Sequence, residues 1–154
     1  MEIIFLCIGT DKMTGDCFGP LVGTKLLKKL EPYNTFHIHI YGNLENTISY
    51  ENIEQYQKQI ENNPYDTCIV VIDAALSKKE NIGNIYVSKE KTVLGKGLHK
   101  NKIAIGDMSI KAVVGKDLKV PKYNFAMLQN VSLNLVMHLA DTVADSIFEV
   151  IEYW

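Results

Sequence analysis

The sequence predicts an α/β fold, a single-domain three-layer sandwich with a mainly parallel central sheet, over residues 1–154. An apolar run, Ile3 to Ile8, leads into a glycine-rich turn and then into Leu21 to Leu30, where apolar residues recur at helical spacing. A second unbroken apolar run, Thr67 to Ile72, is typical of a parallel strand buried on both faces. Apolar residues between Phe125 and Ile151 keep a helical period, which predicts one long C-terminal helix against the sheet.

The composition of the chain limits the kinds of partner that we expect for this protein. The net charge is −2 and all 16 basic residues are lysine, so we expect no nucleic-acid partner and no arginine fork for phosphates. No apolar run approaches the ~20 residues of a membrane span, and the start lacks the basic region of a signal peptide. Three cysteines without metal-type spacing fit reduced thiols. We therefore expect a cytoplasmic protein that does not bind membranes.

The first helix follows the turn and runs to about Lys29, before the stop signal Glu31-Pro32. Pro20 is tolerated only in the first turn, so this helix is expected to begin between Asp16 and Pro20. Residues 36–41 alternate between apolar and polar types, which favours an exposed edge strand. Ile53 to Ile60 then has the spacing of a short second helix.

The strand from Thr67 to Ile72 ends in Asp73-Ala74-Ala75. In a doubly wound sheet with the strand order 2-1-3, the first and third strands are neighbours and ligands bind where the order reverses. This topology alone predicts that Asp16 and Asp73 face each other across one crevice.

The second half of the chain is less regular. Gly83 to Ser88 is expected to form a strand, and Gly95 to Lys102 a loop. Ile103 to Ile110 mixes apolar and turn residues, so a strand with a glycine bulge and a strand followed by a short turn are both possible.

Two facing carboxylates have two chemical uses. They can share a proton, as in aspartic proteases, or bind a metal if a third ligand is near, for which His99, Glu45 and Asp107 are candidates. The alternative to a chemical role is a purely structural one, in which Asp16 caps a helix and Asp73 accepts backbone N–H bonds. A Cys17 nucleophile paired with His99 is a further alternative. A phosphate cradle is excluded because Gly15 is followed by an acid.

The segment Gly9 to Pro20, together with Val71-Ile72-Asp73-Ala74, resembles the germination protease that degrades small spore proteins. It resembles more closely the short relatives of that enzyme, the YyaC sporulation protein family. Gly42 to Asn46, Gly95-Lys96-Gly97 and Ile105 to Ile110 also resemble this short family, so the similarity spans nearly the whole chain.

The resemblance implies the α/β fold shared by germination protease and hydrogenase maturation endopeptidases. It also implies that the two motif aspartates, Asp16 and Asp73, are catalytic. Maturation endopeptidases hold a metal with acidic residues and a histidine, and no histidine here is an obvious match. We therefore predict no metal and no other cofactor.

These observations predict a sporulation-associated endopeptidase in the cytoplasm of the sporulating cell or forespore, acting on a protein or peptide like the spore proteins. Six further residues are predicted to contact the substrate: Gly15, Gly19, Glu45, Gly97, His99 and Asp107. The alternative is an inactive sporulation protein that keeps the groove and binds a peptide or protein partner. The shorter chain, relative to germination protease, and the unassigned third group of the site motivate this alternative.

Overall fold

In a computed structural model, which describes residues 1–95 and 101–154, a five-stranded sheet forms the centre of the molecule. Gly97 and His99 lie outside the described residues. Seven strands occur in the described ranges: β1 (Glu2–Cys7), β2 (Ile38–Tyr41), β3 (Thr67–Ser77), β4 (Ile85–Ser88), β5 (Thr92–Leu94), β6 (Ile103–Ile105) and β7 (Met108–Lys116). The helices are α1 (Phe18–Leu30), α2 (Ile53–Glu61), α3 (Pro121–Asn130) and α4 (Leu133–Glu152).

The sheet has the order β2-β1-β3-β7-β4, in which only β4 runs antiparallel to its neighbour. The predicted order 2-1-3 and the mainly parallel sheet are confirmed. One face packs on α1 and α4 through residues such as Phe18, Leu26 and Val136. The other face packs on α2 and the β5–β6 ribbon through Ile53 and Ile105. These layers form the predicted three-layer sandwich.

The first helix begins as the position of Pro20 requires. A single 3-10 turn, Gly15–Cys17, precedes α1, so Pro20 is the third residue of that helix. The first N–H groups of a helix have no intrahelical acceptor, so the missing N–H of Pro20 costs nothing there. Asp16 makes no side-chain capping hydrogen bond, so the capping role is not observed.

Two boundaries differ from the sequence expectation, and residues 103–110 follow the second of the two alternatives that were left open. The strand expected to end at Ile72 continues to Ser77, because β7 pairs with it from Val70 onward after β1 has ended. The prediction of a single C-terminal helix is wrong, because α3 and α4 are separate helices. Val131 is extended, and the Ser132 hydroxyl caps α4 by accepting the Leu135 N–H. Residues 103–110 form a strand, a turn at Gly106 with φ 97°, and the start of β7.

No helix among the described residues is both long enough and apolar enough to cross a membrane.

Candidate active site

The backbone that carries Asp16 is fixed directly beyond the end of β1. Gly9 has φ +149°, and a Cβ on it would lie 2.0 Å from the Asp16 carbonyl oxygen, so only glycine fits. The Thr10 N–H donates to that carbonyl at 3.0 Å, and the Asp16 N–H donates to Met13 at 3.1 Å. These contacts hold the carboxyl group of Asp16 at the mouth of the sheet.

Gly15 and Gly19 serve the packing of this turn. A Cβ on Gly15 would lie 2.8 Å from the Leu128 side chain of α3, and one on Gly19 would lie 2.1 Å from the Ile8 carbonyl oxygen. Both glycines therefore allow close approach of backbone elements. Neither lines the cleft around Asp16, so we retain neither as a substrate contact.

Asp73 lies at the point where β3 loses its neighbour β1. The last bond between the strands runs from the Ile8 N–H to the Ile72 carbonyl oxygen at 2.8 Å. Because side chains alternate along a strand, Asp73 shares the face of Val71, which packs in the layer of α2 and the ribbon. Asp73 therefore opens into the space above the end of β1, where Asp16 stands.

The two carboxyl groups have pKa values that are pushed apart. Burial raises the pKa of Asp73 to about 8, with a further increase from the charge of Asp16, while Lys111 and the Ala74 N–H act in the opposite direction. Burial raises the pKa of Asp16 to about 6, and a hydrogen bond from the Thr10 N–H opposes this rise. Some surface of each side chain reaches the cleft, but protein fills most of the volume around the carboxyl groups. At neutral pH, Asp16 is mainly ionised and Asp73 mainly protonated.

Lys111 is a site residue that the sequence reasoning missed. It is the register partner of Asp73 on β7, and Tyr86 of β4 is its partner on the other side. Paired residues of adjacent strands project from the same face, so the Lys111 ammonium lies on the side of Asp73 and lowers its pKa. A lysine within the otherwise apolar run Ile110 to Val114 was the available signal.

A cleft of about 420 Å³ opens over the two aspartates. It lies at the carboxyl ends of β1 and β3, where the strand order of the sheet reverses, which is the usual ligand position in open α/β sheets. The walls come from the loop after β1, the segment before α2, the end of β5 and the first half of α3. The lining residues other than the aspartates are Ile8, Gly9, Met13, Ser49, Tyr50, Glu51, Leu94, Gly95, Pro121, Asn124, Phe125 and Leu128.

Tyr50 and Glu51 were not singled out from the sequence, because they belong to an irregular segment without a motif. The Tyr50 hydroxyl donates to the Asn101 carbonyl oxygen at 2.5 Å, which ties this wall to the end of the β5–β6 connection. Both residues take part in further contacts. Glu51 adds a third carboxylate to the rim of the cleft.

Glu45 and Asp107 lie away from the cleft. Asp107 precedes β7 and accepts the Ile69 N–H at 2.8 Å, at the opposite edge of the sheet. Four residues of strand separate Ile69 from Asp73, or about 13 Å. Glu45 is exposed in a turn where Asn43 accepts its N–H at 2.9 Å. Neither residue lines the cleft over Asp16 and Asp73.

Two alternative chemistries were tested against the geometry. Within residues 1–95 and 101–154, no three His, Cys, Asp or Glu side chains are grouped closely enough to hold a metal ion. The described donors therefore do not fit a metal centre at this site. Cys17 is buried, its thiol donates to the Thr14 carbonyl oxygen at 3.0 Å, and burial raises its pKa. A Cys17 thiolate is disfavoured.

Residues 1–146 match a family described as protein of unknown function DUF1256. The chain belongs to this family. It is 30% identical to the uncharacterized protein YyaC of Bacillus subtilis (strain 168) over 145 residues, which are 94% of this chain and 67% of that protein. The predicted membership of the YyaC family is therefore confirmed.

The fold is also found in a solved structure. The [NiFe] hydrogenase maturation protease HycI of Thermococcus kodakarensis KOD1 superimposes with a TM-score of 0.65 at 19% identity, over 98% of this chain and 92% of that one. The two proteins share the fold, as the resemblance implied.

Proposed function

We propose that this protein is an endopeptidase in which Asp16 and Asp73 act as a carboxylate dyad. The observation that carries the proposal is the pair of carboxyl groups at the base of one cleft, whose pKa values bracket neutral pH. Two titratable groups with pKa values pushed apart by their surroundings are the usual arrangement of a general base and a general acid. The peptidase-like fold is consistent with this chemistry.

The dyad accounts for both steps of hydrolysis. The Asp16 carboxylate accepts a proton from a water molecule while the water oxygen bonds to the carbonyl carbon of the substrate. Asp73 donates its proton to the carbonyl oxygen, which gives a neutral tetrahedral diol. In the second step Asp73 takes a proton from one hydroxyl of the diol, Asp16 gives its proton to the amide nitrogen, and the C–N bond breaks. Both carboxyl groups return to their starting protonation states.

Lys111 adjusts the pKa of Asp73 in the dyad without contacting the substrate. Its positive charge limits the rise in the pKa of Asp73 that burial and Asp16 produce. Without this charge, Asp73 would hold its proton more tightly and transfer it to the carbonyl oxygen less readily. Lys111 is therefore a positioning residue of the dyad.

The cleft favours an extended protein segment as substrate. Its volume of about 420 Å³ is in the range of pockets that enclose a few side chains. The apolar side chains on its walls include Met13, Leu94 and Phe125. The resemblance to germination protease supports a spore protein or its peptides as the source of this segment. The site of action would then be the cytoplasm of the sporulating cell or forespore.

The test is cleavage of a proteome-derived peptide library, read by mass spectrometry. Wild-type protein should generate new termini, and Asp16→Asn and Asp73→Asn should each lower the rate by about 10³-fold or more while folding normally. Glu45→Gln is the matched control, because Glu45 is exposed and outside the cleft. Unchanged turnover in either Asn variant would refute the dyad.

A peptide-binding protein without catalysis is the second candidate, favoured by the apolar walls, which need no dyad to hold a peptide. Retention of library peptides by the wild-type protein, with no new termini between pH 5 and pH 9, would select this function.

A further inference from the structure

A group of lysines lies beside the proposed active site, and neither the fold nor the dyad explains it. We call it the lysine pocket: a surface hollow of about 590 Å³ lined by Lys78, Lys79, Glu80, Lys116, Asp117, Leu118 and Lys119. It holds four lysines and two carboxylates, a local excess of two positive charges in a chain with a net charge of −2. Such a reversal of sign marks a surface that attracts anions.

The lysine pocket is at the same edge of the sheet as the cleft. Lys78 directly follows β3, and Lys116 ends β7, so both lie beyond the carboxyl ends of these strands. The Asp117 N–H donates to the Ser77 carbonyl oxygen at 2.7 Å and closes this edge. Five residues of extended chain separate Lys78 from Asp73, or about 17 Å.

Asn124 of α3 joins the two sites. It lines the cleft over the aspartates, and its side-chain NH₂ donates to Asp117 at 2.9 Å. Its side-chain oxygen accepts the Leu118 N–H at 2.7 Å. Asn124 therefore separates the cleft from the loop that lines the lysine pocket, and the two hollows are neighbours at this edge of the sheet.

The lysines of the pocket are available to a ligand. Within the ranges that the structure describes, no carboxylate lies within 4 Å of the ammonium groups of Lys78, Lys79 or Lys116. Lys25 and Lys29 of α1, in contrast, pair with Asp141 and Asp145 of α4. The cations of α1 thus stabilise the fold, whereas three cations of the pocket have no such role.

Asp117 is used within the loop. Its carboxylate accepts from the Asn124 side chain, from the Lys119 N–H at 2.8 Å and from the Lys119 ammonium at 3.2 Å, and these bonds lower its pKa to about 2. They hold Lys119 at φ 63°, in the left-handed region that residues other than glycine rarely adopt. The carboxylate orders the loop, so it does not compete with an anionic ligand for Lys78 or Lys116.

We propose that the lysine pocket is a specificity subsite that binds an acidic segment of the peptide substrate, about five residues from the bond that is cleaved. The proposal rests on the proposed peptidase function, and it names the substrate class as peptides with an apolar stretch beside an acidic one. Electrostatic complementarity of this kind acts on partner choice and association rate.

Binding is tested without catalysis on the Asp73→Asn variant. The probes are two fluorescein-labelled 12-residue peptides that share one apolar half and carry four Glu or four Gln in the other half. Fluorescence anisotropy at low salt should show about tenfold tighter binding of the Glu peptide, and high salt should reduce the difference. The Gln peptide reports on the cleft alone.

The decisive variant is Lys78→Gln/Lys79→Gln/Lys116→Gln, which should weaken the Glu peptide to the level of the Gln peptide. The matched control, Lys28→Gln/Lys58→Gln/Lys89→Gln, makes the same change in net charge at exposed lysines outside the pocket and should keep the preference. Equal affinity of the two peptides, equal loss in both triple variants, or no binding of either peptide would overturn the proposal. A preference without cleavage by wild-type protein would refute only the peptidase function.

Discussion

Asp73 lies on β3 and Asp107 directly precedes the neighbouring strand β7, yet the structure uses the two carboxyl groups in different ways. Asp107 stands at the amino edge of the sheet and accepts the Ile69 N–H, which joins the start of β7 to β3. Asp73 stands at the carboxyl edge beside a second carboxyl group, and burial and that neighbour raise its pKa to about 8. An exposed carboxylate that bonds a neighbouring strand stabilises the fold, whereas a largely buried one held beside another acid is set up for proton transfer.

The largest expected difference between the two aspartates is in catalysis. Asp73→Asn removes the general acid of the proposed dyad and should lower kcat by about 10³-fold or more. Asp107→Ala removes the acceptor of the Ile69 N–H at an exposed position, and it should lower the free energy of unfolding by about 0.5–1.5 kcal/mol, with kcat per folded molecule unchanged. A loss of kcat in Asp107→Ala at full folding would contradict the separation of the two roles.

The raised pKa of Asp73 should make the stability of the fold depend on pH. The folded-state pKa of Asp73 is raised above the unfolded value of about 3.9, so the folded state binds more protons between those values. Wild-type stability is therefore lost as pH rises from about 4 to 8, and Asp73→Asn should gain stability relative to wild type over that window. Urea denaturation at pH 5 and pH 8 measures this change. A gain that is the same at both pH values would argue against the raised pKa.

Lys111→Met tests the one positive charge that opposes the rise in the pKa of Asp73. Its removal should move the alkaline limb of the pH–rate profile upward by about 0.5–1 pH unit, since a charge near a half-buried acid acts on that scale. Lys111→Arg keeps the charge and should keep the limb in place. An unshifted limb in the Met variant, with folding intact, would remove Lys111 from the site.

Of the changes considered, metal removal should have the smallest effect on peptide cleavage. The described carboxylates and histidines do not form a metal site, and the proposed mechanism needs none. Peptide cleavage should therefore survive dialysis against a chelator, and elemental analysis should find no stoichiometric zinc or nickel. About one equivalent of metal that survives dialysis and is lost in Asp16→Ala would point to a metal-bound water as nucleophile.

The sequence was sufficient to predict the sheet and the placement of Asp16 and Asp73 at one cleft, because both follow from apolar patterning and from the strand order of doubly wound sheets. Buried parallel strands appear as unbroken apolar runs, and the strand order 2-1-3 brings Asp16 and Asp73 together without any knowledge of side-chain contacts. The break between α3 and α4 was missed because one capping serine interrupts an apolar period that otherwise continues.

Whether the other acidic and basic residues belong to the site depends on the edge of the sheet at which each of them lies. The sequence predicts Asp107 as a substrate contact, but the register of β7 against β3 places it about 13 Å from Asp73. Lys111 joins the site by that same register, which a single sequence does not contain. Glu45 follows a strand at its carboxyl end, yet that strand is the sheet edge and its loop turns away from the cleft.

The central claim is tested most directly by titrating the aspartates in protein labelled with ¹³C at the Asp carboxyl carbons. Carboxyl shifts, assigned with Asp16→Asn and Asp73→Asn, should show Asp16 titrating near pH 6 and Asp73 near pH 8. In Asp16→Asn the titration of Asp73 should move to lower pH, because the neighbouring charge is gone. If both carboxyl groups titrate below pH 5, both are ionised at neutral pH, and the dyad mechanism is contradicted.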